Sequence, residues 1–419
     1  MAVVSDFLWS PPNPNVKNIN KHSMLDLIRF TPGGISRAEL AQRMMLSRAA
    51  VTVIINDLLE SGIIQETESR NGSSGRPPII LEINPAYGFV GGIDMGATHL
   101  AIILTNLCAQ VIDEVDVPYL INRGPEVCLP EVDHHLRGLL AKNSLNLTDI
   151  HAIGVDVPGP IVAEAGIVLA PPIMPGWDRY PIRETLEKSW NRPVALTNDA
   201  EAGALGEWAF GAGRGERDLA YIKVGTGIGA GLLLDGKIYR GATGSAGEIG
   251  HLTMIENGPL CNCGNNGCLE ALAGGQAIAR QAFEAVEHGE RTLLSSMGRL
   301  GKITAQDVAS AAQRGDLVAQ RIVSEAGSHL GIALAGLVNL FNPGMVVVGG
   351  GIAQIGDLFL QPVRDAVMRR SLPAAARTVK ITTAILGHRS SSIGAAVEAL
   401  SIAIHQTADR KEVVHTPTA

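Results

Sequence analysis

Cysteine, aromatic residues, long apolar runs and excess basic charge are all scarce in this chain, and each scarcity excludes something. Five cysteines in 419 residues are too few for a disulfide-built scaffold. No stretch reaches eighteen uninterrupted apolar residues, so no membrane span is expected. The opening "MAVVSDFLWSPPNPN" lacks the charged start and apolar core of a signal peptide, which predicts a soluble, cytoplasmic protein with no membrane partner. A net charge of −7 argues against a protein that binds nucleic acid over its whole surface. Aromatics make up 4% of the chain while glycine occurs 48 times, a balance suited to an α/β protein with many tight turns.

What is present is unevenly placed. Eight Lys/Arg and eight Asp/Glu precede Pro85, so that segment is neutral and the surplus acid lies downstream. Within it, Met24 to Phe30 reads as a short helix stopped by "TPGG". Ser36 opens a second helix, with Glu39 placed to complete a capping box, and Ser47 caps a third. On that third helix Val51, Ile54, Ile55, Leu58 and Leu59 follow helical spacing and must face a core. Arg48, Thr52 and Asn56 fall on the opposite face. After Gly62, "IIQETES" and "PPIILEI" read as strands around the loop "RNGSSGRP". Three helices and a hairpin in this order make a winged helix-turn-helix, whose third helix enters the major groove. Arg48, Thr52 and Asn56 are then the candidates for base edges, and Arg70 and Arg76 on the wing for phosphates or a narrow minor groove. A packing or dimerisation module with a merely solvated polar face is the competing reading.

From Phe89 the pattern changes. "FVGGIDMGATHLAIILTNLCAQVIDEVDVP" reads as strand, Gly-rich turn, strand, strand, and "LAYIKVGTGIGAGLLLDGKIYRG" repeats the scheme about 130 residues later. Small residues in such turns let backbone N–H groups approach a phosphate. "MVVVGGGIAQ" adds a further buried strand and glycine turn. Three such turns in this order indicate an actin-like, ribonuclease-H-like ATPase fold with a cleft between two lobes.

The motifs "DMGATH", "GVDVPGPI", "NDAEAGALGEW", "VGTGIGAG", "GEIGHLTM", "CNCGNNGCLEALAGG" and "VVVGGGI" together resemble those of the ROK family of repressors, open reading frames and sugar kinases. The resemblance covers essentially everything after Pro85. With the winged helix in front, the whole is similar to the repressors of that family that respond to xylose, N-acetylglucosamine or glucose. It implies an N-terminal arm (1–22), a DNA-binding domain (23–84), a first lobe (85–200) to which a C-terminal helix (391–405) returns, a second lobe (201–390) and a disordered tail (406–419).

Three of the five cysteines stand within eight residues, as Cys261, Cys263 and Cys268, and His251 precedes them by ten. Three thiolates and an imidazole form a donor set that zinc accepts in closed, structural tetrahedral sites. The resemblance assigns these four residues as zinc ligands. It also implies sugar contacts for Glu248, His251 and Glu270, completed by Asn198 and Asp199. Carboxylates and imidazole suit recognition of neighbouring hydroxyls, because a missing hydroxyl leaves a buried acceptor unpaired.

Kinase chemistry would need ATP and Mg²⁺, Asp199 as base, Asp94 near the metal and intact phosphate loops. The corresponding nucleotide-loop residues are Asp94, Gly96, Thr98, Gly225, Thr226, Gly227, Gly349 and Gly350. The first loop departs from the kinase pattern Asp-x-Gly-Gly-Thr-Lys by carrying Ala97 and His99. The expectation is a non-enzymatic, sugar- or sugar-phosphate-responsive repressor, dimeric or tetrameric, on a palindromic operator. An ATP-dependent sugar kinase with a vestigial or bifunctional head is the alternative.

Overall fold

The computed structural model describes residues 16–31, 33–68, 79–298 and 303–409. The head comprises α1 (Val16–Phe30), α2 (Arg37–Met44), α3 (Arg48–Ser61), β1 (Ile64–Glu68) and β2 (Ile79–Ile83). Each short helix is started by its own cap. Ser36 accepts from the Glu39 N–H and Ser47 from the Ala50 N–H, both at 3.2 Å. Gly62 ends α3 in the left-handed conformation. β1 and β2 pair antiparallel, and Ile35 bridges to Leu81 beside them. Val51, Ile54, Ile55 and Leu58 are buried as their spacing requires.

Two details differ from expectation. The first helix starts at Val16, not Met24, because "VKNINKHS" extends the same helix without a breaker. The Glu39 carboxylate turns to Arg43 at 3.3 Å instead of closing a capping box. Arg70 and Arg76, on the expected wing loop, lie outside the described residues.

Two sheets of the same design follow. The first has the order β5-β4-β3-β6-β9, from β3 (Phe89–Met95), β4 (His99–Asn106), β5 (Val111–Pro118), β6 (Ile150–Val157) and β9 (Val194–Asn198). β3 to β5 are antiparallel, and β6 and β9 join in parallel. α4 (Pro125–Lys142), the short pair β7 (Ile161–Val162) and β8 (Ile167–Val168), and α5 (Ile182–Trp190) make the crossovers. α6 (Asp199–Phe210) then leads to the second sheet, order β12-β11-β10-β13-β14, with β10 (Leu219–Val224), β11 (Ile228–Leu234), β12 (Lys237–Ile238), β13 (Met345–Gly349) and β14 (Lys380–Thr383). Its first three strands are antiparallel and its last two parallel, repeating the first sheet strand for strand. The internal echo in the sequence is therefore a duplicated topology. Its second crossover is larger: α7 (Leu269–Ala273), α8 (Gly275–Glu287), α9 (Ser295–Gly298), α10 (Ala305–Gln313) and α11 (Leu317–Phe341), with α12 (Asp357–Arg370) and α13 (Pro373–Thr378) before β14.

α14 (Ser390–Asp409) returns to the first sheet and lies against β3, β6 and α6. Residues 406–409, placed in a tail by the sequence reading, continue this helix. The approach is backbone to backbone: a Cβ at Gly154 would collide with the Ala395 carbonyl, and one at Gly394 with the Ala202 carbonyl. Glu207 of α6, fully buried, fixes the start of α14. Its carboxylate accepts from the N–H groups of Ala212 (2.8 Å), Ile385 (3.1 Å) and Leu386 (2.9 Å) and from Ser390 Oγ (2.8 Å). Four donors offset the cost of burying that charge.

The far end of α14 meets the head. Met24, Leu25, Ile28 and Ile55 share one apolar cluster with Val90, Ile103, Leu400 and Ile404. Arg29 donates to the Val397 carbonyl, and the His22 and His405 rings stack at 4.5 Å. Truncating fully buried Leu400 to alanine is expected to cost about 2–5 kcal/mol, since the cavity would open where head and lobe share a core. A lowered urea midpoint with faster amide exchange in α1 is the signature to look for.

Candidate functional site

Both Gly-rich hairpins open onto a cleft of about 1010 Å³ between the two sheets. Asp94, Gly96 and Thr98 line it from the first hairpin, and Gly225, Thr226 and Gly227 from the second, with Gly350 after β13. Asn198, Asp199, Glu248, His251, Cys263 and Glu270 line it as well. Gly349 is not on the wall: it packs over Tyr221, where a Cβ would strike the phenol.

The cysteine cluster folds around itself by short backbone bonds. Cys261 N–H donates to Asn265 O at 2.8 Å and Gly264 N–H to Cys261 O at 2.9 Å, while Thr253 bridges to Cys268. The four candidate ligand atoms of His251, Cys261, Cys263 and Cys268 lie within 4.8 Å of one another. Cys263 Sγ is 3.7 Å from Cys268 Sγ, and Cys261 Sγ is 3.7 Å from His251 Nδ1. Sulfurs held ~2.3 Å from a tetrahedral zinc stand about 3.8 Å apart, so the set fits that ion. Burial and the adjoining thiols push Cys268 up to about 12. Bound zinc would supply a cross-link and no open coordination position. Cys108 and Cys128 sit apart from it, the first half-buried and the second buried.

The cluster holds the acids in place. His251 uses Nδ1 toward the thiols and turns Nε2 toward Glu248 Oε2, 3.8 Å away. Glu270 stands in the first turn of α7, which Cys268 begins, and accepts from the Ile228 N–H at 3.0 Å. The metal loop is thus tied to the second Gly-rich hairpin. Burial, reinforced by the charges of Asp199 and Glu270, pushes Glu248 up to about 7. Asn198 is more constrained than the sequence reading assumed. Its Oδ1 caps α6 at Ala200 and its amide donates to Gly159 O at 3.0 Å, which fixes the backbone beside Asp199.

Sequence reasoning named Asp94, His99 and Asp199 at the centre of the cleft but missed Lys223 and Asp156 beside them. Lys223 of β10 reaches Asp199 Oδ2 at 3.0 Å and Asp94 Oδ2 at 3.6 Å, and His99 Nε2 lies 3.2 Å from the same Asp94 oxygen. Asp156, paired with Asp94 across β3 and β6, is buried behind them. Burial and the Asp94 charge raise Asp156 well above the carboxylate range. Burial opposes ionisation of Asp94 too, but Lys223 and the His99 hydrogen bond outweigh it and hold that acid low. His99 rises through its bond to Asp94. The signal was one lysine inside the apolar strand "LAYIKV", overlooked because its strand neighbours are buried.

Residues 90–401 match the sequence signature of the ROK family. This chain belongs to the ROK family. Among its ROK relatives, the xylose repressor of Caldicellulosiruptor bescii is 34% identical over 379 residues, covering 90% of this chain and 94% of the relative. A ROK family transcriptional regulator described as a homologue of the Escherichia coli MLC protein superposes with a TM-score of 0.80 at 28% identity, covering 94% of this chain and 98% of its own. A ROK family glucokinase from Streptomyces griseus, solved with glucose and AMPPNP, superposes with a TM-score of 0.67 at 31% identity. It covers 74% of this chain but 99% of its own.

Exchanging Cys263 for serine removes the most exposed of the four ligands. Metal analysis should show zinc falling from about one ion per chain to a small fraction, with a lower melting temperature. Retention of full zinc content in the variant would remove Cys263 from the ligand set.

Proposed function

We propose that this ROK protein is a sugar-responsive transcriptional repressor, with the head on DNA and the sugar in the cleft. The observation that carries the reading is the reach of α14. Ser391 at its start donates to the Asp199 carbonyl at 2.9 Å and accepts from Lys223 at 3.1 Å, while Leu400 and Ile404 at its end belong to the core of the head. Twenty residues of helix span about 30 Å. One rigid element therefore touches the sugar-facing acid and the DNA-reading domain. The coverage of the relatives supports the same reading, since the repressor matches extend over about nine-tenths of the chain and the glucokinase match over three-quarters.

In this mechanism Asp199, Glu248, His251 and Glu270 accept or donate hydrogen bonds at adjacent sugar hydroxyls. Closing around the sugar moves the second sheet against the first, and α14 carries the change to α1. On the head, Arg48 is exposed at the start of α3, with Thr52 one turn further. Asn56 accepts from Arg37 at 3.0 Å, which makes Arg37 its partner in any groove contact. Met45, 81% exposed, and Val53, 62% exposed, flank this face as apolar contacts for thymine methyls. A dimer would place two such helices on the half-sites of a palindromic operator.

Gel shifts with operator DNA test the switch. Sugar is expected to change operator affinity about 5- to 150-fold, the usual span of allosteric coupling. No change across xylose, glucose, N-acetylglucosamine and their phosphates would end the sugar-response reading. Arg48→Ala should weaken operator binding by about tenfold or more, the worth of a base-specific contact, without altering the sugar-induced thermal shift.

Asp199 at the cleft wall favours one second reading, sugar phosphorylation with ATP and Mg²⁺. A coupled ATP-consumption assay should show no sugar-dependent turnover. Robust turnover abolished by Asp199→Asn would replace the binding-only reading.

A further inference from the structure

Lys223 is set into the cleft as few lysines are. Its side chain is 16% exposed, on a strand whose other residues are buried. The ammonium has three oxygen neighbours: Asp199 Oδ2 at 3.0 Å, Ser391 Oγ at 3.1 Å and Asp94 Oδ2 at 3.6 Å. Ser391 is fixed in turn by the Asp199 carbonyl at 2.9 Å. Behind this group, Asp94 Oδ1 and both carboxyl oxygens of Asp156 are buried without another protein hydrogen-bond partner. A proton retained on Asp156 can satisfy that pair, leaving Asp94 and Asp199 as the two carboxylates that need a cation.

Phosphoryl transfer to a sugar hydroxyl requires divalent metal bridging the phosphate oxygens and a carboxylate free to take the proton. Here the acids suited to those tasks are joined by one tethered ammonium. A divalent ion between them would meet a like charge at contact distance and lose its carboxylate ligands to the lysine. His99 adds a second donor on the same Asp94 oxygen.

We propose that the Lys223 ammonium is the resident cation of the cleft, standing between Asp94 and Asp199 in place of a divalent metal, so that the sugar site is assembled without one. The lysine holds Asp199 by Oδ2 from the second sheet and leaves its other oxygen, with Glu248, His251 and Glu270, to the sugar. It also joins the sheets electrostatically, because Asp94 and Asp199 belong to the first sheet side and Lys223 to the second. Removing the ammonium leaves two close carboxylates that recruit a metal ion. The proposal rests on the reading of the cleft as a sugar site only in its last consequence, that sugar binding is metal-independent.

Mn²⁺ titration followed by electron paramagnetic resonance, on zinc-loaded full-length protein, tests it directly. The wild type is expected to bind no Mn²⁺ in the cleft, and Lys223→Ala to gain one site at least tenfold tighter than any wild-type binding. That site should be lost in Lys223→Ala combined with Asp94→Asn, and absent from Lys223→Arg, which keeps the charge. Wild-type Mn²⁺ binding that Asp94→Asn abolishes would overturn the proposal without recourse to a Lys223 variant. So would a Lys223→Ala protein that is folded by circular dichroism yet gains no site. Sugar-induced thermal shifts in the same samples should be equal with and without added Mg²⁺. Absence of any shift beside the expected Mn²⁺ pattern would refute the sugar reading and leave the lysine's role standing.

Discussion

The close seating of α14 against β3, β6 and α6 is the constraint on which the rest depends. It requires glycine at Gly154 and Gly394, because any side chain there would strike a facing carbonyl. It requires the four-donor cradle of Glu207, which sets where the helix begins. Given that seating, Ser391 falls beside Asp199 and Lys223, and Leu400 and Ile404 fall into the head. The first sheet, the cleft and the head are thereby joined by one helix.

The Cys₃His cluster and Lys223 each hold one side of the cleft. The metal loop shapes its outer wall, placing His251 toward Glu248 and tying Glu270 to the backbone of the second hairpin. Lys223 neutralises the inner wall, where Asp94 and Asp199 would otherwise repel each other.

Much of this architecture was legible in the sequence for physical reasons. Apolar strands interrupted by small-residue turns announced both hairpins, and the spacing of Val51, Ile54, Ile55 and Leu58 announced the buried face of α3. The Cys₃His set was readable because thiols are rare in the chain and crowd together only there. What escaped notice depended on partners far away in sequence. Asn198 gave no sign that its Oδ1 would cap α6 while its amide bonded the Gly159 carbonyl. Nor could "IKVG" reveal that its lysine would point between two acids contributed by β3 and α6. The extension of α1 to Val16 and of α14 to Asp409 was missed because their flanks carry polar residues that the surrounding fold tolerates in a helix.

The Arg29 to Val397 bond joins positions 368 residues apart, and its consequence is one of timing. The head leaves the ribosome before the two lobes, yet its apolar cluster is completed by Leu400 and Ile404. Until those residues emerge, Met24, Leu25 and Ile28 lack the neighbours that cover them. At ordinary rates of about 5–20 residues per second, the interval lasts tens of seconds. A nascent or truncated chain therefore carries an incompletely closed head, and a fully packed one exists only once α14 has been made.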